Sequence, residues 1–403
     1  MADASRSAVG LPLLFVLALL ASVAPFGSDL YLAAFPDMRA DLAGSETAIQ
    51  LTLTMFLLGM AAGQLVFGPL SDRVGRRRPL LVGTALFVLA SIGAAVTPTL
   101  GVLLAARLLQ GLSAAAGMVL GRAVIADLST GQAAARAFTL LMLIAGVAPV
   151  VAPLLGSALV DHIGWRGVLV VLAGLAVAMF AGSAALVPET LPRAQRNRAG
   201  GIAWGELARG RYLWATAAYT FSFCVMMAYI SASPFLYQEL IGMSALAYGA
   251  LFALNAFGLM LTNALGARLL RKYHAQTVLG VGIAWLFLAS VAILVLALSP
   301  AGVAWLPVPI FFVVSSLGFT RGPATALALD AVPDAVGTGS AVLGTAQFTF
   351  AALATPLVSL GQGATAMAVV MGVFAAIAGI SFLALARARR DPDATPMPRG
   401  GDR

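Results

Sequence analysis

The sequence predicts an all-α integral membrane protein of twelve transmembrane helices, arranged as two six-helix bundles with both termini cytoplasmic. Three observations carry this expectation. Of 403 residues, 61% are hydrophobic and 10% charged, and the mean hydropathy is +0.96, far outside the range of soluble globular domains. The apolar residues run in continuous stretches instead of alternating, which excludes an outer-membrane barrel. The basic residues segregate to one side of the expected spans.

Apolar runs bounded by proline, glycine and charge fall near residues 11–35, 48–70, 79–97, 100–123, 137–159, 166–187, 212–236, 246–270, 276–298, 303–327, 336–360 and 364–386, each long enough to cross about 30 Å of hydrocarbon. Arg6 precedes the first run, which has no small-residue cleavage site and is expected to be retained as a helix. Thr97, Pro98 and Thr99 leave only a tight turn between the third and fourth spans. The longest internal polar stretch runs from Pro188 to Gly201. It divides the chain into an N-terminal bundle (1–187), a cytoplasmic linker (188–211), a C-terminal bundle (212–386) and a tail (387–403) whose Pro, Asp and Arg content predicts disorder. Equal halves joined in this way are the pattern of a secondary transporter that rocks around a central site.

The formal charge is +8. Of the 24 basic residues, all but Arg39 and Arg166, which fall on the opposite side, and Arg107, which falls inside the membrane, map to one face. By the positive-inside rule that face is cytoplasmic, so the excess base serves topology and membrane lipid, not nucleic acid. Cys224 is the sole cysteine, which excludes an intrachain disulfide and a cysteine metal site. Lys272 is the sole lysine and lacks the glycines of a phosphate-binding loop, which argues against an ATP-driven pump. With no intramembrane histidine and no metal-ligand cluster, the inventory also argues against an enzyme.

Two motifs stand out. The loop after the second span reads G-P-L-S-D-R-V-G-R-R-R-P from Gly68 to Pro79. Gly75 permits a tight turn there, while Arg73, Arg76, Arg77 and Arg78 pin the loop to an anionic leaflet. Asp72 is expected to face the N-terminus of the eleventh span near Thr338, a carboxylate at the positive end of a helix dipole, when the cytoplasmic side is closed. In the fifth span Gly146, Pro149, Pro153 and Gly156 share one helix face. Small residues there admit a neighbouring helix, and the prolines allow bending.

Asp29 is the only acid well inside a span, and Arg107 begins from the same side at similar depth. Opposite charges at matching depth are expected to pair beside an aqueous cavity, since each alone costs several kcal/mol in lipid. Asp29 is thus the candidate proton carrier. Arg122, with Asp127 five residues on, is explained by snorkelling and a local salt bridge, while Arg321 in the tenth span either snorkels or contacts substrate. Tyr31, Tyr229 and Gln347 are the candidates for an aromatic, loosely polar substrate cavity.

The loop motif at Gly68, Asp72, Arg73, Gly75, Arg76, Arg77 and Arg78 resembles the signature of the major facilitator superfamily, and Gly146 to Gly156 resembles the antiporter motif of its exporters. Arg107 opens R-L-L-Q-G, similar to the superfamily's fourth-span signature, whose arginine lies in the proton-transfer region. S-D-L-Y-L-A-A-F-P at the end of the first span, A-P-V-V-A-P-L-L-G and G-T-G-S-A-V-L-G-T-A-Q together resemble the bicyclomycin and chloramphenicol resistance branch of drug:proton antiporters. Departures are Ala33, where relatives commonly carry proline, and R-G-P-A-T from Arg321, where they carry P-N-A-T. The resemblance implies a monomeric exporter of small amphipathic drugs in the bacterial inner membrane, driven by the proton gradient without a cofactor. An exporter of a native metabolite, or a non-transporting receptor, is the alternative.

Overall fold

The computed structural model describes residues 10–193, Arg196, 207–361 and 363–388. Most of the expected linker and nearly all of the tail lie outside the described residues. Ten described helices are long and apolar enough to cross a membrane, and a bent pair near the N-terminus supplies an eleventh. One of the ten, Gly131–Leu186, is 56 residues long and is broken at Gly164, whose φ of 66° ends one span and starts the next. The described helices therefore account for twelve crossings, as the hydropathy predicts.

Span starts are marked by hydroxyl caps. Ser45 accepts from the Ala48 N–H at the head of the second span (Glu46–Val74), and Ser244 from Ala247 at the head of the eighth (Ala245–Leu269); each satisfies a donor that helix geometry leaves free. The second span packs closely along the fourth (Leu100–Leu128). A side chain at Gly111 would collide with the Phe56 carbonyl oxygen, and one at Gly59 with that of Leu108. Small residues let the two backbones touch, which is how helices gain dispersion energy where no water drives them together.

The first span departs from the continuous helix expected over 11–35. It consists of Leu11–Ala21, Val23–Asp29, a 3₁₀ turn at Leu32–Ala34 and Phe35–Asp41, with a bend of 40° after Ala21. The physical cause lies in the sequence: Pro25 has no N–H to offer the Ala21 carbonyl, and the Ser22 hydroxyl bonds the Ala18 carbonyl at 2.8 Å, loosening the ladder at the same point. The tenth span is likewise interrupted, by a 3₁₀ turn at Leu317–Phe319 between Pro307–Ser316 and Arg321–Asp330.

The two halves meet asymmetrically. Among the described residues, the hydrogen bonds and the ion pair that join them lie away from the arginine-rich loop. Thr54 and Thr355 hydroxyls are 2.6 Å apart, Ser359 reaches Thr47 at 2.8 Å, Gln238 donates to the Ala33 carbonyl at 3.1 Å, and Arg39 pairs with Glu239 at 3.0 Å. Toward the arginine-rich side, Gly68 of the second span and Gly337 of the eleventh (Val336–Leu357) each have open space where a side chain would stand. Among the described residues, no hydrogen bond or ion pair joins the halves on that side, and those that do join them lie on the other.

Because Gly111 touches backbone, Gly111→Ala should lower the melting temperature of the purified protein, with a cost of about 1–3 kcal/mol typical of overpacking. Gly93→Ala, at a helical position facing open space, should leave it unchanged or raise it slightly. Equal melting temperatures for the two variants would contradict the close approach of the second and fourth spans.

Candidate functional site: a buried charge seam

Arg107 and Asp29 are both buried, at 0% and 5% exposure, yet among the described residues they form no ion pair. This corrects the pairing inferred from their equal depth, which fixed height along the membrane normal and left direction around the helix open. Arg107 turns to carbonyls and rings. Its Nη2 donates to the Gly27 carbonyl at 2.6 Å and its Nη1 to Gln110 Oε1 at 2.8 Å, while Gln110 in turn donates to Ser91. Its guanidinium carbon lies 4.2 Å from the Tyr31 ring centroid and 4.7 Å from that of Phe56. Carbonyl dipoles and π faces thus stand in for a carboxylate. Gly27 lies in the last turn of Val23–Asp29, where carbonyls lack helical partners, so Arg107 caps the broken segment at its negative end.

Tyr31 is consequently part of this clamp. It is fully buried beneath Arg107, with its hydroxyl 2.9 Å from that of Thr52, and does not line an open cavity.

Asp29 ends the same segment, four residues before Ala33, whose carbonyl accepts from Gln238 of the other half. It accepts from the Ser28 hydroxyl at 2.6 Å and lies within electrostatic reach of Tyr229 and Tyr248. Tyr229 accepts from Asn255 Nδ2 at 2.8 Å, its ring 6.4 Å from that of Tyr237, and the Tyr248 and Ser233 hydroxyls are 3.2 Å apart. Asn255 Oδ1 is buried without a hydrogen-bond partner. Tyr237 and Tyr248 are site residues that the sequence reasoning missed. Tyr237 lies eight residues after Tyr229, which keeps it on the same helix face, and that spacing was the available signal. Gln347 is buried in the eleventh span, at 5% exposure.

The fifth-span motif fixes this seam. A side chain at Gly156 would strike the carbonyl of Leu30, the residue after Asp29, and one at Gly249 of the eighth span would meet Ser157 and the Pro153 carbonyl. The fifth span thus presses Asp29's segment from one side and the C-terminal half from another. Gly146, by contrast, faces open space, and of the two prolines Pro153 is buried and Pro149 half-buried.

The loop motif is a network of its own. Gly75 has φ 100°, and a side chain there would collide with Glu189, so both its backbone angle and its surroundings require glycine. Asp72 pairs with Arg76 at 2.5 Å; Arg76 also holds Asp127 at 3.0 Å, and its N–H donates to Glu189 at 2.8 Å. Arg77 donates to the carbonyls of Val187 and Ala184. Arg73 and Arg78 are exposed, as residues that meet a leaflet surface must be. Asp72 is therefore paired within its own loop here, and not with the eleventh span. For Glu189, burial pushes the carboxyl up, but the N–H groups of Arg76, Leu191 and Arg77 outweigh it and hold the carboxyl below the ordinary glutamate range. Its anchoring is complete above that range and is lost as pH falls through the depressed value. Asp127 also accepts from Thr190 at 2.8 Å, so it is engaged by Arg76 and Thr190 and does not serve Arg122, contrary to the expected local salt bridge.

Arg107→Lys keeps the charge but loses the fork and the stacked plane. It should destabilise the protein by about 2–4 kcal/mol, from stranded buried acceptors, seen as a lower melting temperature. A native melting temperature would show that the clamp is dispensable.

The sequence profile of the Major Facilitator Superfamily matches residues 17–356. The chain is 33% identical over 387 residues to an uncharacterized MFS-type transporter, YdgK, of Bacillus subtilis, covering 94% of this chain and 96% of that one. It is 28% identical to a bicyclomycin resistance protein homolog of Haemophilus influenzae, over 86% of this chain and 88% of the relative. It is 34% identical to a chloramphenicol resistance protein of Pseudomonas aeruginosa, over 67% and 64%. Twelve crossings in two halves, the loop network after the second span and these matches agree: the chain belongs to the major facilitator superfamily, in its bicyclomycin and chloramphenicol resistance branch, and is a multi-span transporter of the bacterial inner membrane, not an enzyme.

Proposed function

We propose that the protein exports small amphipathic drugs in exchange for protons by alternating access, with Asp29 as the proton carrier. The observation that carries this reading is the position of Asp29. It is a buried carboxyl near the seam between the halves, held by the Ser28 hydroxyl, and among the described residues no cation is bonded to it. Its charge state is coupled to whatever faces it, so movement of the halves, water or substrate at the seam can load or release a proton. The resistance proteins among the relatives support a drug as the substrate class.

In this scheme the arginine-rich side is cytoplasmic and the structure is open toward it. Asp72 exchanges Arg76 for the N-terminus of the eleventh span when that side closes. This state loses little if Asp72 is neutralised, because the Asp72 carboxylate is half-exposed and Arg76 retains Asp127.

Asp29→Asn should abolish proton-driven uptake of chloramphenicol into everted vesicles while leaving expression intact. Full uptake by that variant would refute the assignment. Asp72→Asn should shift the population toward the cytoplasm-open state, read as longer spin-label distances across the arginine-rich side; distances matching the wild type would reduce the motif to a topological signal.

A further inference from the structure

The seventh span does not end as an ordinary helix. Gly210–Pro234 is α-helical, but the chain then winds through a π turn, Phe235–Leu240, whose bonds reach five residues back, as from the Ile241 N–H to the Leu236 carbonyl at 3.0 Å. The cause is Pro234. It has no N–H for the Ile230 carbonyl, which accepts instead from the Ser233 hydroxyl at 3.0 Å, and the Phe235 N–H turns to the Ala232 carbonyl, three residues back. The Ser231 carbonyl accepts from outside the helix, from the Gln50 amide of the second span at 3.4 Å. Ordinary α pairing is thus broken where the π turn begins. Beyond the turn, Gly242 has φ 82° and open space where a side chain would stand, and the Met243 N–H bonds the Tyr237 carbonyl at 2.8 Å.

The π turn grips the first span. Gln238 donates to the carbonyl of Ala33, in the 3₁₀ turn Leu32–Ala34, at 3.1 Å, and Glu239 pairs with Arg39 at 3.0 Å. The Arg39 guanidinium carbon lies 5.6 Å from the Phe235 ring centroid, and the Phe35 and Phe235 rings are 5.9 Å apart. Two irregular segments, one from each half, therefore hold each other.

π turns are rare, because a helix left to itself pairs four residues back, and one persists where its surroundings hold it. The surroundings here include the opposite half. Re-pairing the turn as α would take about one residue out of it and rotate all that follows by about 100° around the helix axis. Gln238 and Glu239 lie late in the turn and would swing by much of that angle, so both would leave the first span together. Gly242 is where the chain can absorb the change, because a glycine backbone is tolerant of either sign of φ.

We propose that Phe235–Leu240 is a register switch, π-helical while the halves are joined on this side and α-helical when they part, so that one backbone transition withdraws Gln238 and Glu239 from the first span. The proposal rests on the alternating-access reading and names the element that releases this side.

Cys224 is the sole cysteine, so Cys224→Ser gives a background for nitroxide labels. Single labels from Leu236 to Met243 report the register of the turn through their accessibility to oxygen, and a pair at the exposed Ala40 and Leu246 reports parting. Pro234→Ala restores the missing N–H; it should move the accessibility pattern by one residue and lengthen the Ala40–Leu246 distance by several ångströms. Arg39→Gln with Thr54→Val cuts the seam and leaves the sequence of the turn intact, and it should do the same; native-like melting of both variants separates these changes from loss of fold. A longer distance with a wild-type accessibility pattern in the seam-cut variant would overturn the proposal, since the halves would then rock apart with the π turn intact. A shifted pattern at an unchanged distance would also overturn it, and so would wild-type behaviour in both readouts. Both expected changes, in a protein whose wild type shows no proton-driven chloramphenicol uptake, would fault the antiport reading and leave the switch standing.

Discussion

The architecture of the seam depends on one interaction, the hold of the Arg107 guanidinium on the Gly27 carbonyl. A helix interrupted in mid-membrane exposes backbone acceptors to a medium that offers no donors, and each costs several kcal/mol if left alone. Arg107 supplies the donor with a charged, rigid fork, and Tyr31 and Phe56 supply the π faces that make its burial tolerable. The first span can then stay broken, and the break turns the carboxyl at its end toward the C-terminal half. The two charges that seemed made for each other are thereby used separately, one to set backbone geometry and the other to face the partner bundle.

The fifth span completes the arrangement. Gly156 lies against Leu30, and Ser157 against Gly249 of the eighth span, so the segment bearing Asp29 is wedged between its own bundle and the other. A shift of the eighth span relative to the fifth is felt at the carboxyl through backbone contact, without long flexible side chains in between. This gives a physical content to the small-residue face of the fifth span: it shortens the mechanical path between the halves and the Asp29 carboxyl.

Much of this was legible in the sequence and some was not, for identifiable reasons. The crossings follow from apolar run length, and Gly75 from the turn that the loop requires. The break of the first span was signalled by Pro25 and Ser22, but the run is apolar throughout, and hydropathy alone does not register a missing hydrogen bond. The partners of Arg107 are carbonyls and ring faces, which carry no signature in the letters. The bond expected between Arg122 and Asp127 does not form, because five residues separate them and helix neighbours are three or four apart. Tyr248 joins the site through the packing of the eighth span on the fifth, a tertiary fact that no spacing along the chain encodes.

Among the described residues, the side away from the arginine-rich loop is fastened mostly by uncharged contacts: threonine to threonine at 54 and 355, serine to threonine at 359 and 47, an amide to a carbonyl at 238 and 33, with one half-exposed ion pair between Arg39 and Glu239. Each such contact is worth about 1 kcal/mol or less in net terms, and water entering the gap would satisfy every hydroxyl that parting leaves bare. That side is thus a seam stitched with weak, exchangeable threads, so its closed and parted forms stay close in free energy. A solute that prefers one of them by only a few kcal/mol is enough to reverse which is populated.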